Sequence, residues 1–267
     1  MTKIVTALGL FPVALNVLII GELLASRSQV FVIAFLVFAD VILLISFVSA
    51  ISRRDRRYSR FRKNLTPLAE PAIIETAKTV LEKFSTSRID IYLTKSDSFR
   101  GPPALTVGIS RPSLWFSDRV VRELSPSEVG EIIGHELAHL VKRHRIKILL
   151  IGLLYTLTGL NLIVFTTSRI LPLPDLFLIA GLVLTFASYA LVVPYVRREF
   201  EFDADKIAAR VLGNPNQLVS ALLRVDGMLN RPSHLGTRGW RKWTASHPPM
   251  SERVSRLRQL SSRNSGQ

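Results

Sequence analysis

Residues 125–144 read Ser-Pro-Ser-Glu-Val-Gly-Glu-Ile-Ile-Gly-His-Glu-Leu-Ala-His-Leu-Val-Lys-Arg-His. The stretch opens as a helix does. Ser125 is placed to cap, Pro126 takes the first helical position, and Glu128 completes a capping box. From there the helix is expected to run without a breaker into the apolar block that follows. Inside it lies His135-Glu136-Leu137-Ala138-His139, an H-E-x-x-H motif. Positions i and i+4 stand about 40° apart around a helix, so both imidazoles reach one ion. Glu136 sits beside that ion and is placed to take a proton from water. This residue set is the chemistry of a zinc site. His144, five residues beyond His139, falls about 140° round the helix. It is expected to point away, as an interfacial histidine among Lys142, Arg143 and Arg145.

Working outward, the helix is flanked by apolar blocks. Residues 4–25, 30–51, 146–167 and 175–196 are nearly free of charge. Each is about as long as the ~20 helical residues a bilayer core requires. The first block does not resemble a cleaved signal: Lys3 is a thin positive region, and a second span starts almost at once. Asp40, in mid-span, is read as a carboxylate facing other helices or a polar partner. The short joins between blocks one and two and between three and four make two hairpins. Segments 52–145 and 197–267 therefore lie on one side of the membrane. The run Ser-Arg-Arg-Asp-Arg-Arg-Tyr-Ser-Arg-Phe-Arg-Lys at 52–63 makes that side, and the N-terminus, cytoplasmic. Beside a span, such a run is read as topology and anionic-lipid contact.

The whole-chain composition agrees. The chain has 267 residues, 48% of them apolar, no cysteine, and a net charge of +15. Disorder requires low hydrophobicity and is excluded. A disulfide-stapled secreted fold is excluded by the missing cysteines. A nucleic-acid binder is not expected, although Trp240 and Trp243 lie among Arg238, Arg241 and Lys242. A loop resting on lipid headgroups explains that composition more simply.

The soluble segments carry the rest of a small domain. Residues 67–84 have helical periodicity. Runs at 88–94, 104–110 and 113–118 alternate as short strands, punctuated by Gly101, Pro102, Pro103 and Pro112. The expected layout is a mainly α membrane protein. A transmembrane hairpin (1–51) precedes a cytoplasmic part with the H-E-x-x-H helix (52–145). A second hairpin (146–196) precedes a cytoplasmic part with a ligand helix and tail (197–267). The soluble parts form an α+β, zincin-like domain with a small sheet.

Catalytic zinc takes three protein ligands and keeps one position open. The third is sought in Arg-Glu-Phe-Glu-Phe-Asp-Ala-Asp at 198–205. On a helix, Glu199, Asp203, Lys206 and Arg210 share one face, all charged and so read as solvated. Glu201 and Asp205 fall on the opposite face, among Ala204, Ala208, Val211 and Leu212. A buried carboxylate is costly unless paired or metal-bound. Glu201 is therefore assigned as third ligand, and Asp205 as a group orienting a ligand imidazole.

With these elements in place the chain resembles the HtpX-type and CAAX-prenyl-protease-type membrane zinc metalloproteases. The resemblance rests on HELAH at 135–139, EFDAD at 201–205 and SHPPMSERVSRL at 246–257, in that order. It implies one zinc held by His135, His139 and Glu201, with Glu136 as general base and Asp205 in support. It also implies a substrate or transition-state contact for His247, and cleavage of membrane-associated proteins in quality control. The edge-strand region ALTVGISRPSLWFS lacks the Asn-Ala pair of many relatives and looks more like the β-lactam sensor-transducer metalloproteases. CAAX proteases have more spans than four, so that specific activity is not expected.

The expected function is zinc-dependent endoproteolysis at the cytoplasmic face of the cell membrane. Peptide or membrane-protein substrates and the bilayer are the partners, and substrate is expected to pair in extended form with the 104–110 strand. The alternative is a membrane metallo-sensor or scaffold with little turnover. Glu136 argues against it, because a pure binding site needs no base there.

Overall fold

The computed structural model describes residues 10, 12–17, 30–63, 65–86, 89–95, 103–109, 111–167, 175–228 and 247–264. The described elements run α1 (Val30–Arg62), β1 (Thr66–Pro67), α2 (Pro71–Lys83), β2 (Asp90–Thr94), β3 (Ala104–Val107) and β4 (Ser113–Ser117). They continue α3 (Asp118–Glu123), α4 (Pro126–Val141), α5 (His144–Thr167), α6 (Asp175–Leu212), α7 (Pro215–Met228) and α8 (Met250–Asn264). The chain divides into two compact units. One draws on Met1–Ser52 and Ile146–Arg197, the other on Arg53–Arg145, Arg198–Lys242 and His247–Gln267.

In the first unit, helices are apolar on the outside. Val37, Phe38, Val41, Ile42, Ile45 and Val48 of α1 are exposed, as are Val183 and Phe186 of α6. Exposed apolar helices suit lipid rather than water. Among the described residues, three segments are long and apolar enough to cross a membrane: Leu36–Arg62, His144–Ile163 and Ile179–Leu212. The expected first span at 4–25 lies largely outside the described residues; residues 10 and 12–17 of it are helical. Asp40 has the polar partner expected of it. The buried Asn161 donates to Asp40 Oδ2 at 3.4 Å and to Asn16 Oδ1 at 3.0 Å, and Asn16 donates to Thr158 Oγ1 at 2.7 Å.

The second unit is built on a four-stranded sheet of order β1-β2-β4-β3, with β2 and β4 parallel and the other pairs antiparallel. Every residue of β4 is buried. Leu114 and Phe116 join Val120, Val129, Ile133 and Leu137 of the following helices in one core, closed by Ala208, Leu218, Leu222 and Leu257. Leu137 has no exposed surface. Truncating such a residue to alanine costs about 2–5 kcal/mol. The basic run at 52–63 is not a loop after a span, because α1 continues through it to Arg62. Phe61 stacks on Trp115 at 5.5 Å and Tyr58 meets the same ring edge-on at 5.9 Å. The carboxylate of Asp55 accepts from the Ile109 N–H at 3.1 Å. These contacts anchor the helix end to the β3–β4 hairpin.

The helix that carries the histidines begins as its sequence dictates. Ser125 Oγ accepts from the Glu128 N–H, and the Glu128 carboxylate accepts from the Ser125 N–H at 3.0 Å. Two glycines let α4 approach its neighbours closely. A Cβ on Gly130 would stand 2.6 Å from Thr76 Cγ2 of α2, and one on Gly134 2.6 Å from Leu212 Cδ1 of α6. The other end departs from expectation. Instead of running on into the apolar block, α4 stops at Val141. Lys142 N–H closes on Ala138 O, and Arg143 takes the left-handed conformation at φ 53°. A new helix, α5, starts at His144.

Candidate metal centre

The site lies within the second unit. His135 and His139 project from successive turns of α4, and α6 brings Glu201 against them. His135 Nε2 is 3.2 Å from His139 Nε2 and 3.5 Å from Glu201 Oε2, and His139 Nε2 is 3.7 Å from Glu201 Oε1. These three ligand atoms all lie within 4.8 Å of one another. Asp205, one turn after Glu201, places Oδ1 2.9 Å from His135 Nδ1. His247, exposed to solvent, sets Nδ1 3.3 Å from Glu201 Oε1.

Charge is distributed unevenly over these groups. Burial alone would lower the His135 pKa, but its hydrogen bonds to Asp205 and Glu201 outweigh burial and push it up to about 9. Burial, reinforced by the positive charge of His135, drives His139 down to about 3. Glu201 is held well below the usual carboxylate range despite burial, because His135 and His247 hydrogen-bond to it. Asp205 is likewise buried yet depressed, chiefly by the charge of Arg253.

Arg253, on α8, is the main contributor absent from the sequence expectations. It is 8% exposed and grips Asp205 with two bonds, Nε to Oδ2 at 2.7 Å and Nη2 to Oδ1 at 2.6 Å. Its Nη1 lies 3.6 Å from Glu201 Oε2. A signal was present in the sequence: Arg253 stands within the stripe formed by Met250, Val254, Leu257 and Leu260, where a charge needs a buried partner.

His144 also departs from expectation. The left-handed Arg143 turns the chain back, so His144 faces His139 instead of pointing away. Its Nδ1 is 2.9 Å from His139 Nδ1, and its Nε2 is 3.3 Å from Asp203 Oδ2. Asp203, expected on a purely solvated face, is 45% exposed and engaged through this contact. Glu199 stays on that face, 3.9 Å from Arg256.

Glu136, next to His135 on α4, reaches β3. Its Oε2 accepts from both the N–H and the hydroxyl of Thr106, each at 2.8 Å. Arg145 Nη1 reaches the Thr106 carbonyl at 3.4 Å. β3 is one of the two edge strands of the sheet. Both the N–H and the carbonyl of Thr106 are thus engaged by side chains of the same chain.

The donor set fits zinc. Two imidazoles and a carboxylate converge, and each histidine has a partner on its far nitrogen, leaving Nε2 of both for the ion.

Comparison with known proteins agrees with this chemistry. The model for peptidase family M48 matches residues 71–261. A protease HtpX homolog of Paenarthrobacter aurescens (strain TC1) is 28% identical over 167 residues, 55% of this chain and 58% of that protein. Another from Polaromonas naphthalenivorans (strain CJ2) is 28% identical over 221 residues, 70% of this chain and 71% of that protein. The chain thus spans little more than half the length of the first of these relatives. The crystal structure of S. mikatae Ste24p superposes with a TM-score of 0.67 at 18% identity, over 84% of this chain and 58% of that one. The fold is Ste24p-like, mostly helical with a small mixed sheet, and with its apolar helices the chain is a multi-pass membrane protein.

Proposed function

Because the chain belongs to peptidase family M48, we propose that it is a zinc-dependent membrane endopeptidase whose metal is held by His135, His139 and Glu201. The convergence of these three ligand atoms within 4.8 Å carries the reading. Zinc bound there would polarise the scissile carbonyl and lower the pKa of the attacking water toward about 7. Glu136 is the general base. Thr106 holds its Oε2, so Oε1 is left to take the proton of the attacking water and return it to the leaving amine. Asp205, clamped by Arg253, fixes the ring of His135. His247 stands at the exposed side of Glu201, suited to touch substrate or transition state. An extended substrate would pair with β3 at Ala104, which shares the outward register of Thr106.

The unit containing these residues is the protease domain, on the cytoplasmic side by the excess of Arg and Lys at 52–63. Its substrates are membrane or membrane-associated proteins, and its role is protein quality control. Glu136→Gln tests the reading. The variant keeps the size of the side chain and all three ligands, so purified protein should retain about one zinc. Peptidase activity should fall by about 10²–10⁴-fold. Parental cleavage by Glu136→Gln would sink the mechanism, and a zinc-loaded parental protein with no turnover on any peptide would favour a metallo-sensor.

A further inference from the structure

His144 is buried, with 3% of its surface exposed, and its ring lies flat on Phe200 at 4.2 Å and 4°. Packing alone would account for that stacking, but not for the polar atoms at its edge. Each of its two nitrogens faces a specific group: Nδ1 meets His139 Nδ1 at 2.9 Å, and Nε2 meets Asp203 Oδ2 at 3.3 Å.

The proton count constrains this chain of contacts. Nε2 of His139 is the nitrogen turned toward His135 and Glu201. An imidazole that binds a metal through Nε2 carries its proton on Nδ1. The Nδ1–H of His139 then needs an acceptor, and the only ring atom in reach on His144 is Nδ1. His144 accepts there only in the tautomer with its own proton on Nε2, and that proton points to Asp203. One tautomer of each ring satisfies every contact, and the carboxylate at the end selects it. His135 obtains the same service directly, from Asp205.

We propose that His144, backed by Asp203, is a positioning residue for the metal centre: it fixes the tautomer and the ring orientation of His139. The proposal rests on the metal-centre reading given above. The left-handed Arg143 is what makes it available, since a continued helix would carry His144 about 140° away from His139. The strain of that residue accompanies a contact that an unbroken helix could not make.

The test uses the full chain in detergent, with zinc affinity measured by competition against a chelator of known strength. His144→Phe keeps an aromatic ring on Phe200 and removes both nitrogens. His144→Gln restores an acceptor within reach of His139. Asp203→Ala removes the half-exposed carboxylate with little effect on packing. The expected result is a loss of about 10–100-fold in zinc affinity for His144→Phe, a smaller loss for Asp203→Ala, and partial recovery in His144→Gln. The visible spectrum of the cobalt-substituted protein should shift in His144→Phe, and the metal-free proteins should melt together. Parental zinc affinity in His144→Phe overturns the proposal. So do equal losses in His144→Phe and His144→Gln, which would leave only packing. Should His144→Phe not fold, unchanged affinity in Asp203→Ala and His144→Gln alike overturns it as well. A parental protein that binds no zinc overturns the metal-centre reading, and this proposal with it.

Discussion

Thr106 directs both its backbone N–H and its hydroxyl at one atom, Oε2 of Glu136, across 30 residues of sequence and at 2.8 Å each. The proposed general base is therefore held by two donors on an edge strand. One is built into the backbone and no substitution other than proline removes it. The other depends on the side chain alone.

Thr106→Val removes the hydroxyl and keeps the shape. A hydrogen bond to a charged group contributes about 1.5–3 kcal/mol, and part of that hold remains in the N–H. We expect kcat to fall about tenfold, with KM and zinc content unchanged, in steady-state assays on a fluorogenic peptide. An unaltered kcat would show that the N–H alone positions Glu136.

Arg253 is expected to matter for stability as much as for the metal. Arg253→Met leaves the carboxylates of Asp205 and Glu201 buried without their cation, and breaking such a pair costs about 3–5 kcal/mol. Arg253→Lys keeps the charge but not the two-bond grip on Asp205. Thermal unfolding of the metal-free proteins should rank parent above Arg253→Lys above Arg253→Met. Equal melting temperatures for all three would refute the clamp.

Glu131 gives a pH signature away from the metal. Burial lifts its carboxyl to about 7, against the pull of Lys83, and its Oε2 has no hydrogen-bond partner. In the unfolded chain the same group titrates near 4.3. The folded form thus holds the proton more tightly, so the contribution of Glu131 to stability is fully present below about pH 4 and is lost as pH rises to 7, where the charge must be buried. Glu131→Gln cannot ionise. Its melting temperature relative to the parent should rise between pH 5 and pH 8. A difference that stays flat over that range would mean that Glu131 keeps an ordinary pKa.

Much of the site could be read before the fold was known, because it is local. The cap at Ser125, the i, i+4 pair of His135 and His139, and the choice of Glu201 over Glu199 need only the period of a helix. The break after Val141 could not be read in this way. Lys142-Arg143-His144 holds no glycine or asparagine to announce a left-handed residue, and what holds it is tertiary: the burial of His144 on Phe200 and its contact with His139. The same holds for Thr106, whose role depends on where β3 meets α4. Arg253 is intermediate, visible as a charge in an apolar stripe but without any hint of its partner 48 residues earlier. The sheet order, with β4 inserted between β2 and β3, likewise follows from long-range pairing that strand periodicity does not encode.

The separation of these groups along the chain also sets an order in time. His135 and His139 leave the ribosome first, Glu201 follows after two apolar blocks, and Arg253 comes 118 residues after His135. At about 5–20 residues per second, the nascent polypeptide spends roughly 6–24 seconds with its H-E-x-x-H helix made and its clamp still untranslated. Until Glu201 is made it has two of the three proposed ligands, and until Arg253 follows nothing holds Asp205 against His135. On the proposed assignment, the metal centre is incomplete until all four apolar blocks have been translated.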